Sequence, residues 1–538
     1  MFVQQLEPIA DSLALSALVA ATPLVTVLVL LGAVRLRAHY AGLTGLAVAL
    51  AVAWWGYGMP TGQALAGAAQ GAVFGLFPIL WIVVNALWVY RMTVRTHHFD
   101  VLRRSFSRLS ADPRIQALVI AFCFGALLEA LAGFGAPVAI SAVMLVALGF
   151  DPVKAAVVAL VANTAPVAFG AMGTPVVTLA QVTGLPLDAV ASVVGRQTPL
   201  LALVVPLLLV FLVDGRRGLR ETWAPALACG AAFAVVQFAA ANFVSAQLAD
   251  IGAALAGAAA LVAVPGARRP AAEPVRAAVL TGVRSDDLDT DDERREIVRA
   301  YAPYAMIVVV FSLAQVPPVK ELLARATWTF DWPVLNVAGP DGTPVGGNVF
   351  SLPLLATGGT LVLLAGLLTA PLLGVRAGAA VREWAATVRE LRYAILTVTS
   401  VLALAYVMNL SGQAATIGHF VAAAGAGLAF LSPVLGWFGV AVTGSDTSAN
   451  ALFGALQVTA AQQSGLAPEL LAAANSSGGV LGKMISPQNL TIACAAVGLA
   501  GREGDLLRKV LPWSLGLLLV MCLIVVGQST AVLGWMLP

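Results

Sequence analysis

The chain has 538 residues, 60% of them hydrophobic and only 11% charged, with a formal net charge of +3 and a mean hydropathy of +0.91. A soluble fold covers its surface with about a quarter charged residues, so this composition excludes a cytosolic enzyme, a disordered chain and a nucleic-acid binder. It fits a polytopic all-α membrane protein, because each helical span takes roughly 20 apolar residues to cross a core of about 30 Å.

In chain order, the first residues, MFVQQLEPIADSLALS, carry Glu7 and Asp11 and no basic n-region, and do not read as a cleaved signal peptide. Apolar runs predict spans near 12–34, 41–58, 64–90, 196–213, 223–247, 250–266, 299–316, 352–373, 390–409, 414–430 and 510–536. Two further apolar stretches, 115–195 and 432–500, are too long for one span and are interrupted by Gly, Pro, Asn and Ser. Counting these, the chain holds about twelve or thirteen spans. Residues 267–297, with SDDLDTDDERREIVR near their end, form a hydrophilic linker read as cytoplasmic. It separates an N-terminal half, 1–266, from a C-terminal half, 298–538.

Basic residues orient the spans. Arg35 and Arg37, the group from Arg91 to Arg114, Arg216–Arg220, Arg376–Arg392, and Arg502 with Arg508 and Lys509 mark cytoplasmic loops. The N-terminus is then outside and the loop 317–350 external. If 414–430 is a full span, the parity of the C-terminal half does not close, and its topology stays open. Cys123, Cys229, Cys494 and Cys522 are scattered through apolar runs without a CxxC or Cys/His cluster, so no disulfide framework and no metal site is expected.

An internal repeat is present. NTAPVAFGAMGTP (163–175) aligns with NSSGGVLGKMISP (475–487) at Asn, Thr/Ser, Gly, Met, Thr/Ser and Pro. Upstream of each lies a Gly-x-x-Pro, GFDP (149–152) and GLAP (465–468), and before that a break in apolar sequence, AGFGAP (132–137) and TGSDTS (443–448). Irregular backbone in hydrocarbon leaves polar groups unpaired and is tolerated where it lines a protein cavity. Paired interruptions in two halves point to the substrate site of a secondary transporter. Half-helix N-termini at such breaks suit a carboxylate. The predicted architecture is therefore two inverted repeats. Each has a re-entrant hairpin (115–149 and 432–464) followed by a discontinuous helix (152–185 and 466–500). The bland alternative is a set of Pro-kinked helices packed through small residues, which does not account for the recurring Asn-Thr/Ser pair.

These same stretches carry a family resemblance. LEALAGFGAPVAI (128–140), NTAPVAFGAMGTP (163–175), GSDTSANALFGALQ (444–457) and GKMISPQNLTIACAAVGL (482–499) resemble the lactate permease family, as do VGRQTP (194–199) and DGRRGLRETW (214–223). The resemblance implies a proton-coupled carrier of L-lactate and related 2-hydroxymonocarboxylates (D-lactate, glycolate) in the bacterial inner membrane. It also implies kinship with inverted-repeat transporters, several of which work as elevators. Departures are modest: Glu129-Ala130-Leu131-Ala132 where the family often has Glu-Gly-Ala-Ala, Thr447-Ser448-Ala449-Asn450 for Thr-Ser-Ser-Asn, and Pro487-Gln488-Asn489-Leu490 for Pro-Gln-Ser-Ile. They bear on substrate preference rather than class.

Three ionisable residues lie deep in apolar sequence: Glu129, Asp446 and Lys483. Each charge at a helix centre costs about 2.5–3.5 kcal/mol on insertion scales. One reading is a structural ion pair, Asp446–Lys483. The other has Lys483 hold the substrate anion while Asp446 or Glu129 carries the coupling proton. Asn163, Thr164, Asn475, Ser476, Ser445, Thr447 and Ser448 are candidate substrate contacts, or caps of the broken helices. Gly133 and Gly135, with Gly478 and Gly479, allow close backbone approach. Arg196 reads as an interfacial anchor and His419 as a packing residue. The expected partners are a small monocarboxylate and lipid, with no nucleic acid and no cofactor beyond the proton; the oligomeric state stays open. Three other functions compete: a sodium-coupled carrier of the same architecture, a membrane-embedded enzyme, and a channel, against which the duplicated broken-helix pattern favours alternating access. The second lacks HExxH and GxSxG motifs.

Overall fold

The computed structural model describes residues 1–107, 109–131, 133, 135–264, 279–280 and 293–537; most of the 267–297 linker lies outside these. Helices dominate. Among the described residues, ten are long and apolar enough to cross a membrane, or eleven if the bent pair Pro152–Ala162 and Val167–Thr183 counts as one span. The run Leu187–Phe243 holds two of the expected spans, 196–213 and 223–247, because the chain leaves helical geometry between them at Asp214, Gly215 and Thr222. The span expected at 352–373 is only the 15-residue helix Gly358–Leu372, preceded by strand Val349–Pro353.

Local sequence explains the ends of the elements. Proline at the first helical turn, where its missing N–H is no loss, starts the helices at Pro113, Pro152, Pro468 and Pro487. Side-chain caps accept backbone N–H groups at Asp112, Asp151, Ser445 and Ser486. The segment 414–430 is no single helix. Helix Gln413–Val421 gives way to a 3₁₀ turn, Ala422–Gly427, in which Gly425 has φ +55° and ψ −134°, and Leu428–Thr443 follows. The loop 317–350 contributes strand Thr327–Asp331, which pairs antiparallel with Val349–Pro353, while Phe2–Val3 pairs parallel with Val337–Ala338.

Helices of the two halves pack across one another: Thr61–Phe74 and Ala38–Ala51 against Arg392–Ser411, Gly170–Thr183 against Asp446–Ser464, and Leu187–Phe243 against Pro468–Gly482. Side chains such as Leu18, Val309, Leu519 and Leu523 stay exposed on outer faces, as expected of surfaces solvated by lipid rather than water. The chain is a multi-pass membrane protein.

Among the described glycines, the closest backbone approach sits beside the second break. A Cβ on Gly436 would lie 1.9 Å from the Asn475 carbonyl oxygen, and Cβ atoms on Gly478 and Gly482 would lie 2.1 and 2.2 Å from the carbonyls of Pro433 and Trp437. Close backbone approach through small residues is how helices associate without a hydrophobic driving force. Gly478→Ala is therefore expected to lower stability by about 1–3 kcal/mol through overpacking, read as a lower Tm in detergent. Gly516→Ala, where a Cβ meets nothing within 4 Å, is the control and should be neutral or mildly stabilising.

Candidate functional site

The first break ends helix Gly125–Leu131, whose last turn carries Glu129, 2% exposed. Gly133 (φ +42°) and Gly135 (φ +86°) then turn the chain into helix Ala136–Ala147. Gly135 needs both its left-handed backbone and its missing side chain, since a Cβ there would lie 2.5 Å from Ile492 Cδ1. At Gly133 a Cβ would meet nothing closer than 3.5 Å.

The helix Pro152–Ala162 is C-capped by Asn163, and the chain bends 64° before continuing to Thr183. Just past the bend, Ala171 and Met172 have φ of +44° and +59°, followed by Gly173 at +73°. Left-handed backbone at two non-glycine residues is strained by roughly 1–2 kcal/mol each, and such strain collects at functional sites. Thr164 lies in the bend and donates its hydroxyl to the Val161 carbonyl at 2.7 Å.

In the other half, Gly444 (φ +75°) ends helix Leu428–Thr443, and Ser445 caps the helix that begins at Asp446. The Ser445 hydroxyl accepts from the Ser448 N–H at 3.2 Å. Asp446, 4% exposed, accepts through Oδ2 from the Ser476 hydroxyl at 2.6 Å and the Asn450 amide at 3.4 Å. Its Oδ1 has no hydrogen-bond partner among the described residues. The network continues as the Asn475 amide donates to Asn450 Oδ1 at 2.9 Å and the Gln457 amide to Asn475 Oδ1 at 3.3 Å.

Lys483 joins the halves. Its Nζ lies 2.6 Å from Glu129 Oε1, with side chains 8% and 3% exposed, and the Asn163 amide donates to the other Glu129 oxygen at 2.9 Å. The ion pair anticipated between Asp446 and Lys483 is thus replaced by Glu129–Lys483, because Lys483 opens the 3₁₀ turn Lys483–Ile485 and reaches the helix end of the opposite half. The Asn-Ser repeat is also not symmetrical in structure. Asn163 stands at the bend, whereas Asn475 and Ser476 lie inside the uninterrupted helix Pro468–Gly482, and the break comes at Lys483–Ser486.

A cavity of about 70 Å³ lies between the breaks, lined by Glu129, Gly133, Ser445, Asp446, Thr447 and Lys483, together with Val167, Gly170, Ala171, Pro175, Gly444 and Gln488. At about 10–15 Å³ per water-sized group, it admits on the order of five to seven non-hydrogen atoms. Asn163 and Ser476 stand one hydrogen bond behind, holding Glu129 and Asp446, and Asn475 stands one step further back, on Asn450; Thr164, Gly135 and Ser448 shape the turns. Arg196 is bonded to Asn242 and to the Met536 carbonyl and does not line the cavity.

A family model described as L-lactate permease matches residues 16–532. The chain belongs to the L-lactate permease family. It is 42% identical to an L-lactate permease of Bacillus subtilis and 39% identical to one of Escherichia coli, with the whole of each chain covered. It is 40% identical to the Escherichia coli glycolate permease GlcA over 94% of both chains. Among solved structures it is similar to the YdaH transporter of Alcanivorax borkumensis, at 15% identity and TM-score 0.47 over 86% of both chains. A membrane permease, rather than a membrane-embedded enzyme, is what these relatives describe.

Further residues in or behind this permease's cavity do not stand out as site candidates from the sequence alone. Gly170 is required because a Cβ there would lie 2.7 Å from Glu129 Oε1. Asn450 and Gln457 were legible in principle, lying four and eleven residues beyond Asp446 on one helix face. Asp250, 1% exposed at the start of helix Ala249–Ala263, accepts from the Gln237 amide at 3.0 Å, and that amide also donates to the Ala165 carbonyl at 3.3 Å in the bend. In the sequence it stands at the edge of the span expected at 250–266, where an acidic residue draws no notice. With one lysine, two carboxylates, two hydroxyls and a helix N-terminus, the cavity can hold a small carboxylate and exchange a proton.

Proposed function

We propose that the permease carries L-lactate, and short 2-hydroxymonocarboxylates such as glycolate, together with a proton across the bacterial inner membrane. Lys483 holds the carboxylate, Asp446 takes the proton, and Glu129 engages Lys483 when the site is empty. In this reading the two helix–break–helix units are re-entrant hairpins of two inverted repeats.

The observation that carries the proposal is the charge set of the cavity: one lysine faces two carboxylates. With both acids ionised, an entering carboxylate would be a third anion in the same small space. Two unit charges about 4 Å apart interact by about 4 kcal/mol at an effective dielectric of 20, so the anion alone is repelled. A proton on one acid removes that repulsion, and by linkage the bound anion favours the proton by the same factor. The empty cavity and the cavity holding both proton and anion carry equal charge, whereas either ligand alone changes it. A carrier that crosses only in these two equal forms couples the fluxes. The cavity's size and the names of the lactate and glycolate permease relatives support a short monocarboxylate.

The test is radiolabelled L-lactate uptake into proteoliposomes under an imposed inward proton gradient. Accumulation should collapse with an uncoupler, persist when Na⁺ is replaced by choline, and be competed by glycolate but not by succinate. Accumulation that requires Na⁺, or that ignores the uncoupler, refutes proton coupling.

A further inference from the structure

A second, larger space adjoins the cavity. A vestibule of about 1000 Å³ is lined by Arg35, Arg37, His39, Thr443, Thr491 and Glu503, among others. Gln488 lines both the vestibule and the cavity. The chain crosses the same boundary at Thr443, on the vestibule side, and Gly444, on the cavity side.

Gln488 lies over that turn: a Cβ on Gly444 would lie 2.5 Å from Gln488 Oε1. It is exposed, while Asp446 and Lys483 behind it are buried. Its backbone is anchored near the start of helix Pro487–Ala496, whose first turn is tied to Lys483 by the Asn489 amide donating to the Lys483 carbonyl at 2.9 Å. Arg35 and Arg37 belong to a short basic loop that the positive-inside rule places on the cytoplasmic face.

We propose that Gln488 is the gate between the carboxylate cavity and a cytoplasm-facing vestibule, so that the structure is the inward-open form and substrate leaves past the Gln488 amide. This rests on the carboxylate reading of the cavity for the identity of the passenger, and on the geometry alone for the route. An amide suits the position. It offers N–H donors to a passing carboxylate, yet adds no charge that would trap it. The basic rim of the vestibule gives a departing or returning anion a favourable field.

Gln488→Cys in sealed membrane vesicles of both orientations tests the route, with a charged, membrane-impermeant thiosulfonate as probe. The four native cysteines are buried, so the parent protein gives the background. Modification should be at least about tenfold faster when the reagent meets the cytoplasmic face, and saturating L-lactate should slow it severalfold. Thr491→Cys, exposed in the vestibule, should show the same sidedness without slowing by L-lactate. It also keeps the sidedness readable if Gln488→Cys does not reach the membrane. Equal or faster labelling from the outer face overturns the gate. Cytoplasmic labelling of Gln488→Cys that neither lactate nor glycolate slows leaves the route in place and overturns the carboxylate as its passenger.

Discussion

Lys483→Met is expected to abolish lactate uptake and to cost about 3–5 kcal/mol of stability, the usual effect of stranding one member of a buried ion pair. Glu129, 2% exposed, would keep only the Asn163 amide as partner. Glu129→Gln should be destabilising to a comparable degree, because it leaves the lysine as the stranded charge. The informative variant is the double one, Glu129→Gln with Lys483→Met. Replacing both members of a buried pair is often close to neutral, so most of the stability should return. Transport should not, since no cation remains for the carboxylate. Equilibrium unfolding in detergent, set against uptake in proteoliposomes, separates the two quantities. Recovery of both would make the pair purely structural. If the double variant is as unstable as the singles, Glu129 and Lys483 are not each other's main partner.

The pair also shows where sequence reasoning stops. Both residues are legible as charges in apolar sequence, but they are 354 positions apart, and nothing local says that Lys483 meets Glu129 rather than Asp446. Which acid it meets depends on how the two halves dock. The Asn-Thr/Ser repeat was equally visible, yet its copies do different work: Asn163 caps a bent helix and holds Glu129, while Asn475 sits within a straight helix and bonds Asn450. Local identity fixes local chemistry, not where the helix breaks, because the glycines after Asn475 are held helical by contact with the backbone around Pro433 and Trp437. Membrane class and most spans follow from hydropathy, which is why they were readable. Gly170 and Pro175 are matched positions of the repeat and Gln488 stands in a quoted motif, but that they line the cavity follows from packing, and a single sequence does not show which motif positions face one space.

Asp446→Asn should abolish proton-driven accumulation while lactate–lactate exchange continues. The change keeps the shape of the side chain, and the Ser476 hydroxyl and Asn450 amide still find an oxygen acceptor at the Oδ2 position. The amide also resembles the protonated acid, the form in which the cavity accepts an anion. Carboxylate binding should then no longer wait for a proton, so exchange should become less dependent on pH than in the parent, and an imposed proton gradient should drive no net gain. Exchange is measured by counterflow from preloaded proteoliposomes, and accumulation by uptake with and without an uncoupler. Loss of both would place Asp446 in binding or folding instead of coupling. Accumulation that survives would pass the proton to another acid, and Glu129, paired with Lys483, is the one that also lines the cavity. In that case lactate binding must first break the ion pair to expose a protonatable oxygen, and the affinity for lactate, rather than the exchange rate, would carry the pH dependence.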